Sequence, residues 1–159
     1  MCNYGFFRDK RRNGYSGDFS FLNSEEFVFV GKSKFFVGDF IHGWCDAFAF
    51  YLHDEFGWDV EEIVDDSGLL VHAYCVRYDD DDVPVFIDAR GETTNFYDFV
   101  YEFWNYLPAN FPVNEYCPDA VVRLNENDIR EQLCLYDQRS LIDINAAAGK
   151  IIKKYGFWS

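Results

Sequence analysis

The sequence predicts an α+β domain. Three observations carry that expectation: short strand-like pieces before residue 40, an apolar helical run that stops at Gly57, and a β-rich pair of segments followed by helical stretches to the C-terminus. No repeat, low-complexity tract or linker divides the 159 residues, so one domain, 1–159, is expected. With 49% hydrophobic and 21% aromatic residues there is enough apolar material for a sizeable core.

Taken in order, "FVFVG" (27–31) and "KFFVGDF" (34–40) read as strands after a basic, Gly-containing start. Residues 44–56, "WCDAFAFYLHDEF", read as a helix with Gly57 as its terminating residue. Its apolar side chains fall on most faces, which predicts a largely buried central helix. "GLLVHAYCVRY" (68–78) and "VPVFIDARG" (83–91) are strands joined by the polar tip "DDDD" (79–82), a hairpin. The tip lacks the spaced ligands and central glycine of a calcium loop and reads as solvated. "TTNFYDFVYEFW" (93–104) reads as an aromatic helix capped by a threonine, and "AVVRL" (120–124) as an edge strand. Two C-terminal helices follow, 127–137 and 140–156, the second with Ser140 and Asp143 in a capping arrangement and its lysines in the final turns.

The formal net charge is −14. A field of that sign repels phosphate backbones, so no direct nucleic-acid contact is expected and a basic protein surface is the better partner. The start "MCNYGFFRDKRRNG" has no apolar signal region, and no stretch of about 18 uncharged apolar residues exists to span a membrane. A cytoplasmic location is the resulting expectation. The five cysteines are odd in number and irregular in spacing, which predicts free thiols there.

The chemistry centres on "HGWCDAFAFYL" (42–52). Thiol catalysis needs a thiolate, an imidazole beside it and a third group that orients the imidazole. Cys45 opens the helix, where unpaired N–H groups favour an anion, so a lowered thiol pKa is expected. Gly43 lets a substrate approach the backbone, and the Cys45 amide can donate to an oxyanion. His72 lies on the first hairpin strand and Asp88 on the second. If paired residues sum to about 161, the two fall beside each other or one residue off, with Asp88 on Nδ1 and Nε2 facing the thiol. An aspartate within "VFIDA" is costly to bury without such a partner.

These residues resemble a family. "GWC" at a helix start, "HAYCV" and "FIDARG" resemble the core motif of transglutaminase-like proteins within the papain-like cysteine peptidase superfamily, over residues 42 to about 92. The resemblance implies a central helix packed on an antiparallel sheet, with Cys45 as nucleophile, His72 as acid/base and Asp88 as orienter. It implies Trp44 at the entrance and a protein or peptide amide as substrate. It requires no cofactor and no metal. Tyr74-Cys75 is unusual in the second motif, and no upstream glutamine is present to assist the oxyanion; His42 or Asn23 stands in that role.

Blander readings stand beside these. A cysteine in an apolar helix is most often core, and Asp88 could pair with Arg77 or Arg90. His42-x-x-Cys45 and His72-x-x-Cys75 have zinc-like spacing, but residues three apart on a strand point to opposite faces. Cys75 and the remaining cysteines read as packing or exposed residues, and His53 as solvated or capping. A second function of another class is a non-catalytic acidic protein that occupies a basic, nucleic-acid-binding surface of a partner.

Overall fold

The computed structural model describes residues 22–156; Cys2 and the basic start lie outside the described residues. The hairpin β1 (Phe27–Val30) and β2 (Ser33–Phe36) leads through a single helical turn, α1 (Asp39–His42), into the central helix α2 (Cys45–Phe56). Strands β3 (Asp59–Val64), β4 (Leu70–Tyr78), β5 (Pro84–Asp88) and β6 (Gly91–Thr93) follow, then α3 (Phe96–Tyr101). The chain closes with β7 (Val122–Arg123), α4 (Glu126–Leu133) and α5 (Gln138–Tyr155). The main sheet is antiparallel throughout, in the order β6-β5-β4-β3-β7. The α+β expectation holds.

The central strand β4 separates two halves of the core. Its odd-numbered residues face α2, where the Cys75 thiol donates to the Ala49 carbonyl at 3.2 Å. Its even-numbered residues face α3, where the Tyr74 ring lies 5.0 Å from Phe99. Helix α2 buries Cys45, Ala47, Phe48, Ala49, Phe50 and Leu52, so the central-helix reading is correct. Gly57 ends it at φ 76°, a conformation that an L side chain would strain.

Several details differ from the sequence reading. Strand β3 was not anticipated, because Glu61 and Glu62 break its apolar pattern. Both are buried: Glu61 accepts hydrogen bonds from the Tyr74 and Tyr116 hydroxyls and from Arg123, and Glu62 from Gln132. The second strand-like piece ends at Phe36, since the Asp39 carboxylate takes the Phe36 amide and the chain turns into α1. "VPVFIDARG" is not one strand; it turns at Ala89–Arg90 into β6. Helix α3 is capped by Asn95 rather than by a threonine, and α5 by Asp137 rather than by Ser140 with Asp143. The "DDDD" tip closes on itself, with Asp79 accepting the amides of Asp81 and Val83. The expectation of free thiols holds for Cys45, Cys75 and Cys134, but Cys117 is disulfide-bonded, its partner lying outside the described residues. No described helix is long and apolar enough to cross a membrane.

Candidate active site

Cys45 is the first residue of α2. The preceding Trp44 packs its ring against Phe35 and Phe40, at 5.6 and 5.8 Å, which pins the start of the helix. Cys45 is 4% exposed, and its sulfur accepts the Ala73 amide N–H at 3.4 Å. That amide is free to do so because the β4–β5 ladder ends at Cys75 and Ile87, leaving Ala73 with no β5 residue in register opposite it. The sulfur therefore lies where β5 leaves β4, one residue along the main chain from His72.

The observed register is one residue longer than expected, Tyr78 pairing with Pro84 rather than with Val83. That slip decides the contact. Asp88 comes level with Tyr74 instead of Ala73, and so shares the face of His72. His72 Nε2–H donates to Asp88 Oδ2 at 2.9 Å. Arg90 closes the other side of the carboxylate: its amide donates to Oδ1 at 2.9 Å and its Nη2 to Oδ2 at 2.6 Å. The same Nη2 donates to the Phe99 carbonyl. Both His72 and Asp88 are buried.

The ring is turned opposite to expectation. Asp88 takes the far nitrogen, because it lies on a diagonal away from the β4 backbone. His72 Nδ1 is the nitrogen nearer the main chain, and it is buried with no hydrogen-bond partner. No hydrogen bond joins the sulfur to either ring nitrogen, so the resting structure holds the dyad formed and the thiol beside its backbone.

Electrostatics corrects a second expectation. Burial pushes the Cys45 thiol up to about 12; the Ala73 amide opposes this only in part, and the Asp46 and Asp88 charges reinforce it. The start of α2 already carries an anion, since Asp46 accepts the Ala47 amide and the Tyr136 hydroxyl. Burial likewise pulls the His72 imidazole below its ordinary range, more than the Asp88 hydrogen bond restores. Burial alone would raise Asp88, but Arg90 and His72 hold it well below the usual carboxylate range. At neutral pH the cluster thus rests as thiol, neutral imidazole and carboxylate.

The other named residues divide. Gly43 sits at φ −95°, backbone that any residue adopts, so its conformation does not require glycine. His42 is turned outward to Glu102, and Asn23 accepts the Glu25 amide, so neither is placed to assist an oxyanion at Cys45. His53 bridges the Trp58 carbonyl and Glu126 at the far end of α2. Cys75 points away from His72, as the strand alternation requires.

Two participants escaped the sequence reading. Arg90 was weighed only as a competing ion-pair partner for Asp88, whereas it shares that carboxylate with His72. Phe103 stacks on the His72 ring at 4.1 Å and covers it. Arg90 lies within "FIDARG" and was within reach of the sequence. For Phe103 the sequence says only that the aromatic stretch 96–107 exceeds what one helix face can bury, so that part of it docks a partner or covers the cleft, without naming the residue. Chemically, the arrangement can accept a proton at Nδ1 and hold the resulting cation against Asp88. No family model, curated protein or solved structure matches this chain.

Proposed function

We propose that this protein is a cysteine-dependent acyl-transfer enzyme acting on an amide bond of a protein or peptide substrate. One observation carries the reading: His72 is held by Asp88 through Nε2 while its buried Nδ1 has no partner, next to the main chain that the Cys45 sulfur touches. An unsatisfied buried nitrogen is costly and asks for a reason. A basic site awaiting the thiol proton supplies one.

In this mechanism the Cys45 side chain first leaves the Ala73 amide and swings round the open end of the β4–β5 ladder to the His72 ring on the other face. Nδ1 then takes the thiol proton and the thiolate attacks the carbonyl carbon. The C=O electron pair moves to oxygen, and the Cys45 and Asp46 amides at the start of α2 donate to that oxyanion. Collapse expels the amine, which takes the proton back from Nδ1, and leaves a thioester. Water or a second amine then attacks, giving its proton to Nδ1, and the thiolate departs to be reprotonated. Asp88 remains ionised throughout and stabilises the imidazolium. Helix-borne thiol and paired-strand His and Asp also support a transglutaminase-like, papain-like arrangement of the core.

A peptidyl vinyl sulfone tests the reading. It should alkylate Cys45 in the wild type and far more slowly in a folded His72→Gln variant. Equal labelling of the two would reject it.

A second reading has its own observation. Arg90 and His72 together saturate Asp88 beneath Phe103, as a purely structural cluster would. The chain would then be an acidic binding protein, and the same experiment separates the two.

A further inference from the structure

Two surface grooves flank the covered cluster. One, of about 740 Å³, runs along Glu25, Asp39, His42 and Trp44. The other, of about 450 Å³, is lined by Tyr101, Glu102, Trp104 and Asn105. They meet at a bridge, since His42 Nε2 of the first lies 3.3 Å from Glu102 Oε1 of the second. Against that bridge stands Phe103, its ring 6.1 Å from His42 and 4.1 Å from His72. Neither groove is lined by Cys45 or His72.

Building on the acyl-transfer reading, we propose that the two grooves are halves of one channel for an extended, positively charged polypeptide, shut at its middle by the His42–Glu102 bridge and by Phe103 lying over His72. The bridge is made by two half-exposed or exposed side chains, so opening it costs little compared with opening the core. Withdrawing Phe103 uncovers the His72 ring where the two grooves join. The lining specifies the occupant. Glu25, Asp39 and Glu102 contribute carboxylates, and His42 is the one basic residue among the described lining residues of both grooves. Trp44, Tyr101 and Trp104 offer ring faces to lysine or arginine side chains. Cations entering between Glu102 and His42 would replace the bridge with an equivalent contact, so a basic substrate opens its own path.

The test uses the full chain carrying Cys134→Ser, which removes the exposed free thiol. Iodoacetamide modification of Cys45 is followed by peptide mass spectrometry at pH 8, with and without His42→Ala and Glu102→Ala together. The double variant should react about tenfold faster or more, as expected for release of a local closure. An octapeptide of alternating lysine and glycine should then slow the reaction, a neutral octapeptide should not, and Glu25→Lys should weaken the protection about threefold or more. A melting curve checks folding, and Glu102→Gln alone replaces the pair if it unfolds. An unchanged alkylation rate overturns the gate, and equal protection by both peptides overturns the cationic occupant. Faster alkylation with selective protection but no vinyl sulfone dependence on His72 would leave the channel standing and remove the acyl-transfer reading alone.

Discussion

His72 and Asp88 meet along a diagonal of the β4–β5 pair, Nε2–H to Oδ2 at 2.9 Å, because the hairpin is one residue longer than its acidic tip suggests. In the shorter register Asp88 would stand opposite Ala73 and face α2, on the far side of the sheet from the imidazole. The contact that makes the cluster chemically interesting thus depends on a single step of strand register. It also explains why Arg90 is needed. A buried carboxylate requires a full counter-charge, and neutral His72 provides none.

Substituting Asp88→Asn should therefore do more than misorient His72. It breaks the buried Asp88–Arg90 ion pair by removing one charge, and the expected loss of stability is about 3–5 kcal/mol. Urea denaturation at pH 7 measures it. A loss below about 1 kcal/mol would mean that Arg90 finds other company.

Stability should fall with acid in two stages. His72 is held below its ordinary pKa in the fold, so the unfolded chain binds the extra proton first and stability declines as pH drops below about 6.5. Asp88 is also depressed, so its contribution is complete above about 3.9 and is lost as pH falls further toward its folded value. Denaturation midpoints between pH 8 and 4 should show the first decline in wild type and a clearly weaker one in His72→Gln. Parallel curves for the two proteins would contradict the assignment.

Iodoacetamide should distinguish the free thiols sharply. Burial raises Cys45 to about 12, whereas Cys134 is exposed, so Cys134 should be modified far sooner below pH 8. Site-resolved mass spectrometry reads both in one sample. Rapid modification of resting Cys45 at pH 7 would show that the thiolate–imidazolium pair forms without opening.

Glu61 is expected to be a stability residue with no part in the chemistry. Its carboxylate collects Tyr74, Tyr116 and Arg123, so Glu61→Gln trades charge-assisted bonds for weaker ones. A loss of about 1–3 kcal/mol is expected, with vinyl sulfone labelling of Cys45 unchanged in the folded fraction. Slower labelling would give this cluster a reach across the sheet that its hydrogen bonds do not suggest.

Much of the architecture was legible because it is written locally. The apolar run from Cys45 to Leu52, the Gly57 stop, the alternation around His72 and the polar hairpin tip are all short-range patterns, and each became the element it implied. Strand β3 was illegible for a long-range reason. Its glutamates look like surface residues until Tyr116, Arg123 and Gln132, some 55 to 70 positions later, arrive to satisfy them.

From its order of residues alone, this chain determined that a thiol would open a buried helix and that a histidine and an aspartate would lie on neighbouring strands. Only the tertiary structure decided which ring nitrogen the aspartate takes, that Arg90 shares it, and that Phe103 closes the site. It also decided the charge of the thiol. Helix position favours an anion, but desolvation is a property of everything packed around the sulfur, and here the larger effect belongs to the surroundings.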